Sequence, residues 1–349
     1  FIKINKVYMK DNSPKSHGCP VCNSTHDLEL TPYIDAHHSS SNIFENLSIE
    51  FCKACGFGYS LPEIEDEAVS EYYTHVYRDV ESPHFVSFLA LSKPVSYNYR
   101  SLAQLVLARH FVDFKEGDTF VDIGPGRGES FMSATNVFKK PKMFAVELSD
   151  GASAAYKNIY GVETFQNIEK LIQHANNIKI LLSSHSLENF KFKELQPFFI
   201  DIKKALGSNG IFIAEVPNAD IRVNLQMRSG DSPHFLFFSK ESLKKMLESF
   251  GFDVLFLDSC GPNYDVWWAA KVEKKKKRKK KSSLLKNTLR AGFNKMPISV
   301  KNAMKKIYNE IRPEVINFEA DNFSYGGNRT CLRVVARPKK NFNESSKPE

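Results

Sequence analysis

Long apolar runs are missing from this chain: none approaches the ~18 residues of a membrane-spanning helix, so an integral membrane protein is not expected. The opening residues, Phe1-Ile2-Lys3-Ile4-Asn5-Lys6, lack the apolar stretch of a signal peptide, and a cytoplasmic location is the expectation. Uniform basicity is also absent. The formal charge is +8, but Lys274 to Lys281 is a run of eight consecutive Lys and Arg residues whose removal leaves the remainder neutral. A basic nucleic-acid-binding face is therefore not implied. What the chain does have is apolar material: 42% hydrophobic residues, with 28 Phe, fill a sizeable core and exclude global disorder.

The most telling segment is Phe120-Val121-Asp122-Ile123-Gly124-Pro125-Gly126-Arg127-Gly128-Glu129. A short apolar run ends in a glycine loop, and Phe131, Met132, Ala134, Val137 and Phe138 then recur at helical spacing. Strand, glycine loop and helix together form a nucleotide-type ligand loop, where the backbone approaches the ligand and the helix N-terminus faces it. The dinucleotide fingerprint GxGxxG would need a third glycine where Glu129 stands. The spacing GxGxG, with Asp122 two residues ahead of it, resembles motif I of the class I S-adenosylmethionine methyltransferases.

Four of the six cysteines form two knuckles, Cys19-Pro20-Val21-Cys22 and Cys52-Lys53-Ala54-Cys55. Each offers two thiolates to one metal, and two such pairs close a tetrahedron, so a structural Zn²⁺ with no open coordination position is expected. Cys260 and Cys331 lie in apolar strand patterns and are expected to be buried thiols. His37 and His38, between the knuckles, are expected to be ordinary loop residues.

Beyond Gly117 the hydrophobic period alternates between strand and helix. Strands are expected near 119–123, 142–148, 162–165, 178–184, 210–217, 253–260 and 331–338, and helices near 128–139, 151–160, 193–206 and 240–250. Repeated βα units predict an α/β, Rossmann-like seven-stranded sheet, mainly parallel, with an antiparallel final strand. The domains follow: a four-Cys module at 14–61, a helical linker or cap at 62–116, the catalytic domain at 117–260 and 331–340, and a basic helical insertion at 261–330. Glu147, at the end of the second strand and about 20 positions past the glycine loop, is placed to accept both ribose hydroxyls.

Further motifs continue the class I resemblance. Asn167 stands where these enzymes often carry an Asp near the adenine amino group, and an amide oxygen can accept the same bond. Ser183 to Asn189, with Ser184 and His185, resembles the segment after the fourth strand that lines the floor of the transfer site. Ala214 to Asn218 closes the fifth strand, and Ser232 to Ser239 leads into the next helix. A four-Cys module ahead of such a domain is similar to the zinc-containing sugar methyltransferases, a resemblance covering about 17–260. It implies that Tyr77, in Tyr72-Tyr73-Thr74-His75-Val76-Tyr77-Arg78, helps cover the methionine end of the cofactor.

C-methylating members of that family carry Tyr-x-Glu-His before the helix; here His234 matches, but Pro233 occupies the Glu position. Losing that carboxylate weakens C-methylation and favours O-methylation, where a neutral imidazole takes a hydroxyl proton. His185 and His234 are the candidate bases, on the same carboxyl edge of the sheet. The expected acceptor is a nucleotide sugar or surface glycan. Sugar C-methylation, RNA or protein methylation, and a SAM- or zinc-dependent interaction protein without turnover stay open as alternatives.

The insertion contains Trp267-Trp268 and two amphipathic stripes, Leu285/Leu289/Phe293/Met296 and Val300/Met304/Ile307/Tyr308/Ile311. A helical cap over the substrate, or a dimer contact, is favoured over peripheral docking of 267–311 on the inner face of an anionic membrane. Nucleic acid ranks third, and the oligomeric state stays open.

Overall fold

The computed structural model describes residues 18–32, 47–72, 99–221, 234–266 and 320–340. The N-terminal part contributes three short antiparallel strands, β1 (Leu28–Pro32), β2 (Ser48–Cys52) and β3 (Gly58–Leu61), followed by the short helix α1 (Asp66–Glu71). After helix α2 (Tyr99–Ala108) the predicted alternation begins: β4 (Thr119–Ile123), α3 (Glu129–Val137), β5 (Lys142–Val146), α4 (Asp150–Tyr160), β6 (Glu163–Phe165), α5 (Ile168–Ile172) and β7 (Ile178–Ser184). It continues through α6 (Phe192–Ala205), β8 (Leu206–Pro217), β9 (Leu236–Phe237), α7 (Lys240–Ser249), β10 (Phe252–Asn263) and β11 (Arg329–Pro338).

Seven of these strands make one sheet in the order β10-β11-β8-β7-β4-β5-β6. The pairs from β8 through β7, β4 and β5 to β6 are parallel, and β11 runs antiparallel to both neighbours. This is the expected α/β Rossmann-like sheet with its reversed last strand. Period-two alternation explains why helices cover both faces. Phe120, Ala145, Ile180 and Leu182 pack with Leu105, Phe131 and Tyr156 of α2, α3 and α4. Val121, Ile123, Phe144 and Leu181 turn the other way, toward Phe199, Ile202 and Leu243 of α6 and α7.

Local chemistry sets the element ends. Ser149 caps α4 by accepting from Ala152 N–H, and Ser239 caps α7 by accepting from Ser242 N–H. Helix α6 buries Leu195, Phe198, Phe199, Ile202 and Ala205, a stripe at three- and four-residue spacing.

The structure departs from expectation at three places. The 62–116 segment is not continuously helical: among the described residues only α1 and α2 are helical, and 111–118 forms turns and extended chain whose Phe111 and Phe114 pack against the core. At the insertion, β10 runs to Asn263 and β11 starts at Arg329, because both edges are consumed by strand pairing. The strand β9, which periodicity does not signal in two residues, pairs with β3 and completes the N-terminal sheet. Residues 267–319, which carry the paired Trp, the basic tract and both stripes, lie outside the described residues. Among the described residues no helix is long and apolar enough to cross a membrane.

Candidate active site and four-cysteine centre

The three loop glycines all adopt left-handed backbone, with φ of 64°, 61° and 74° at Gly124, Gly126 and Gly128. Each serves a different neighbour. A Cβ at Gly124 would sit 2.6 Å from Ser186 Oγ, and one at Gly128 would sit 2.7 Å from Tyr160. At Gly126 a Cβ would meet nothing within 4 Å, so its open side is a cradle into which a ligand fits. Gly124, Gly126, Asp122, Arg100, Gln104 and Ser184 line a cavity of about 170 Å³ there.

Asp122 is buried at the end of β4. Ser130 donates to its Oδ2, while Oδ1 has no partner. Burial pushes the carboxyl up to about 7, the Ser130 hydrogen bond opposes this, and Glu147 adds to the rise. The sign follows. Its stabilising contribution to the ligand-free fold is full below the ordinary Asp range and is lost as pH rises through about 7. A cation placed beside Oδ1 reverses that cost, so the orphaned oxygen fits the positively charged S-adenosylmethionine.

Glu147 lies just past β5 and accepts from Ser149 N–H at 3.0 Å. Tyr156 of α4 donates to Gly126 O at 2.6 Å, with its hydroxyl 3.4 Å from Glu147 Oε2, and so braces the loop against the expected ribose ligand. Ser184, at the end of β7, accepts from Gln104 at 2.9 Å. The side-chain oxygen of Asn167 caps α5, accepting from Lys170 N–H at 2.8 Å. Tyr77 lies outside the described residues.

The two histidines part company. His185 has a left-handed backbone, φ 55°, and both its ring nitrogens face the protein. Nδ1 is 3.1 Å from Glu188 Oε1; Nε2 is 3.6 Å from Glu215 Oε1 and 3.7 Å from Cys331 Sγ. Burial and Arg100 disfavour its charge, but Cys331, Glu188 and Glu215 outweigh them and hold the ring well above its ordinary value. An imidazolium between two carboxylates has no lone pair for a proton. That setting favours the charged ring at His185; the other candidate base, His234, is buried with Nε2 3.8 Å from Glu188 Oε1.

Glu215 is fully buried and is held well below the carboxylate range: burial opposes its charge, but Arg333, His185 and Arg100 outweigh it. Arg333 faces it across the β8–β11 ladder at 2.7 Å, Arg100 lies at 3.2 Å, and Gln104 donates at 2.9 Å. His185, Glu215 and Cys331 also lie close enough together to hold a metal. The adjacent guanidiniums already neutralise Glu215, so this group is an ion cluster. A lone Glu and a lone Arg inside apolar strands were the visible signal for it; Arg100 and Gln104, four apart on α2, were a further one.

The four knuckle sulfurs lie within 4.8 Å of one another, with Cys19–Cys55 and Cys22–Cys52 both at 3.6 Å. That is too far for a disulfide bond of about 2.05 Å. It is close to the ~3.8 Å between sulfurs around a tetrahedral zinc with ~2.3 Å bonds, so the donor set fits the ion. His37 and His38 lie outside the described residues. The centre is joined to the carboxyl edge of the sheet through the segment that carries His234. Ser60 N–H donates to Phe235 O at 2.9 Å, β9 pairs with β3, and Ser239 donates to Cys55 O. Phe57 packs on Phe238 with ring centroids 5.7 Å apart, and Lys191 ties α6 to Ile64 O and Asp66.

Residues 95–257 match the family model described as a methyltransferase domain. No curated protein sequence matches the chain significantly. Solved structures similar to it include an S-adenosylmethionine-dependent methyltransferase from Archaeoglobus fulgidus (17% identity, 68% of this chain and 93% of that one, TM-score 0.40). Others are the cyclopropane synthase MmaA2 from Mycobacterium tuberculosis (15%, 75% and 97%, TM-score 0.42) and phosphoethanolamine N-methyltransferase 2 from Haemonchus contortus (13%, 87% and 73%, TM-score 0.44). The matched stretch holds the glycine loop, Glu147 and both histidines, and it supports an enzyme with a methyltransferase domain.

Three outcomes follow from this geometry. Gly128→Ala should destabilise the fold by roughly 1–3 kcal/mol in urea unfolding, because strain adds to the clash with Tyr160. Gly126→Ala should cost no more than its backbone strain, yet weaken S-adenosylmethionine binding at least tenfold by calorimetry. Stripping the metal with a chelator should slow methyl transfer far more than it weakens cofactor binding, since the module holds the His234 segment and not the glycine loop; equal losses in both would contradict this.

Proposed function

We propose that the protein O-methylates a sugar, carried as a nucleotide conjugate or within a surface glycan. One observation carries the reading: a four-Cys centre, fit for structural zinc, is built into the same sheet as the strand following His234. That arrangement supports the resemblance to zinc-containing sugar methyltransferases, since their two hallmark parts here share one working edge. When bound, S-adenosylmethionine supplies a methyl group on a sulfonium, an already activated leaving group. The chain's residues then have to bind, orient and remove a proton.

Gly124, Gly126 and Gly128 admit the cofactor's backbone-hugging portion, Asp122 faces its positive end, and Glu147 receives the ribose. His234 takes the proton of the acceptor hydroxyl, whose O–H bonding pair stays on oxygen. Holding the hydroxyl in line would supply most of the rate.

The test is incubation of the full chain with labelled methyl donor and extracts of nucleotide sugars and glycolipids, followed by identification of the labelled product. A methyl ether on a sugar oxygen is expected. His234→Ala should lower the rate at least a hundredfold while leaving cofactor affinity within about twofold. Label on a sugar carbon, or on RNA or protein alone, would defeat the proposal.

A further inference from the structure

Glu188, which meets His185, has a second histidine neighbour. It sits in a one-turn 3-10 helix, Leu187–Asn189, directly after β7, and is fully buried. Its Oε1 is 3.1 Å from His185 Nδ1 and 3.8 Å from His234 Nε2, while its Oε2 is buried with no hydrogen-bond partner. Its backbone also takes part: Glu188 O accepts from Phe235 N–H at 2.9 Å, which pins the residue after His234 to this turn.

A buried carboxylate is tolerated beside a cation, and the contacts around His185 favour its charged form. The far side of His185 is already balanced, because its Nε2 faces Glu215 and Cys331. Glu215 is in turn matched by Arg333 and Arg100. Glu188 thus faces a second imidazole with the same oxygen that meets His185, and keeps its other oxygen, Oε2, buried without a hydrogen-bond partner. A base that takes a proton in a buried place becomes a buried cation, and a carboxylate already in position stabilises it without rearrangement.

We propose that Glu188 is the positioning residue of the site: it orients the His234 ring and balances the charge that ring acquires on taking the acceptor's proton. The proposal rests on His234 being the base. The proton passes from the acceptor hydroxyl to the imidazole, and the O–H bonding pair stays on the acceptor oxygen.

The deciding experiment is a histidine-ring NMR titration of the metal-loaded full chain, its Glu188→Gln variant and its Glu188→Asp variant, needing no acceptor. The His234 signal is assigned by its loss in His234→Gln and the His185 signal by its loss in His185→Asn. In Glu188→Gln the His234 midpoint should fall by about one pH unit or more, and Glu188→Asp should recover most of the shift. Thermal unfolding identifies which variants are folded; if Glu188→Gln is not, the smaller shift of Glu188→Asp in the same direction decides. An unmoved His234 midpoint with only His185 displaced would overturn the proposal and leave Glu188 a strut for His185.

With labelled methyl donor and the nucleotide-sugar extract, Glu188→Gln should lower kcat at least tenfold and displace the acid limb of its pH profile, with cofactor affinity unchanged. A parallel loss of cofactor affinity would also overturn it. Full transfer by His234→Gln would defeat the base assignment itself, a failure distinct from an unmoved titration midpoint.

Discussion

Three left-handed bends within five residues, at Gly124, Gly126 and Gly128, set the terms for the rest of the molecule. An L side chain in that region costs roughly 1–2 kcal/mol per residue, so only glycine allows the loop to turn so often. The bends differ in what they admit. Ser186 closes on the first and donates to Ile123 O, the second stays open, and Tyr160 and Tyr156 press on the third. Through Tyr156 the loop is braced against Glu147, and through Ser186 against the end of β7. The strand ends that make the ligand pocket are therefore fixed by the same backbone geometry that leaves room for the ligand.

A second constraint lies next to the first. Glu215, Arg333, Arg100, Gln104 and His185 form a buried charged cluster joining α2, the end of β7, β8 and β11. Buried ion pairs seldom add much stability over apolar packing, because desolvation consumes the Coulomb gain. Their value here is placement: breaking any one member strands a charge, so the antiparallel last strand and helix α2 have one acceptable arrangement. The four-Cys module adds a third brace by supplying β3 as the ladder partner for the strand after His234. The glycine pocket and the His234 segment are thus held by separate devices, the loop on one side and the four-Cys module on the other.

Much of this was legible in the chain. The seven strands of the main sheet lie within a few residues of where apolar alternation puts them, and the glycine spacing located the pocket because left-handed backbone has a residue signature. The knuckle cysteines were legible for a similar reason, as only two paired thiolates per turn close a tetrahedron. What stayed hidden depends on partners distant in sequence. Nothing near His185 shows that Glu215 and Cys331 will close on its ring and turn a candidate base into a cation. Asn167 also caps α5 by accepting from Lys170 N–H, a local bond that its place before the helix allows. The two residues of β9 carry no period at all, and become a strand only because β3 presents an edge. Glu188 was visible as a letter beside His185, but its burial and its second imidazole neighbour arise from the fold.

The most direct test is calorimetric titration of S-adenosylmethionine into the full chain at pH 6 and pH 8. With Asp122 held at about 7 by burial, a bound cation favours the ionised carboxylate. The account predicts measurable binding at both values, tighter at pH 8, with the pH dependence abolished in Asp122→Asn. No heat of binding for S-adenosylmethionine or S-adenosylhomocysteine at either pH would contradict it.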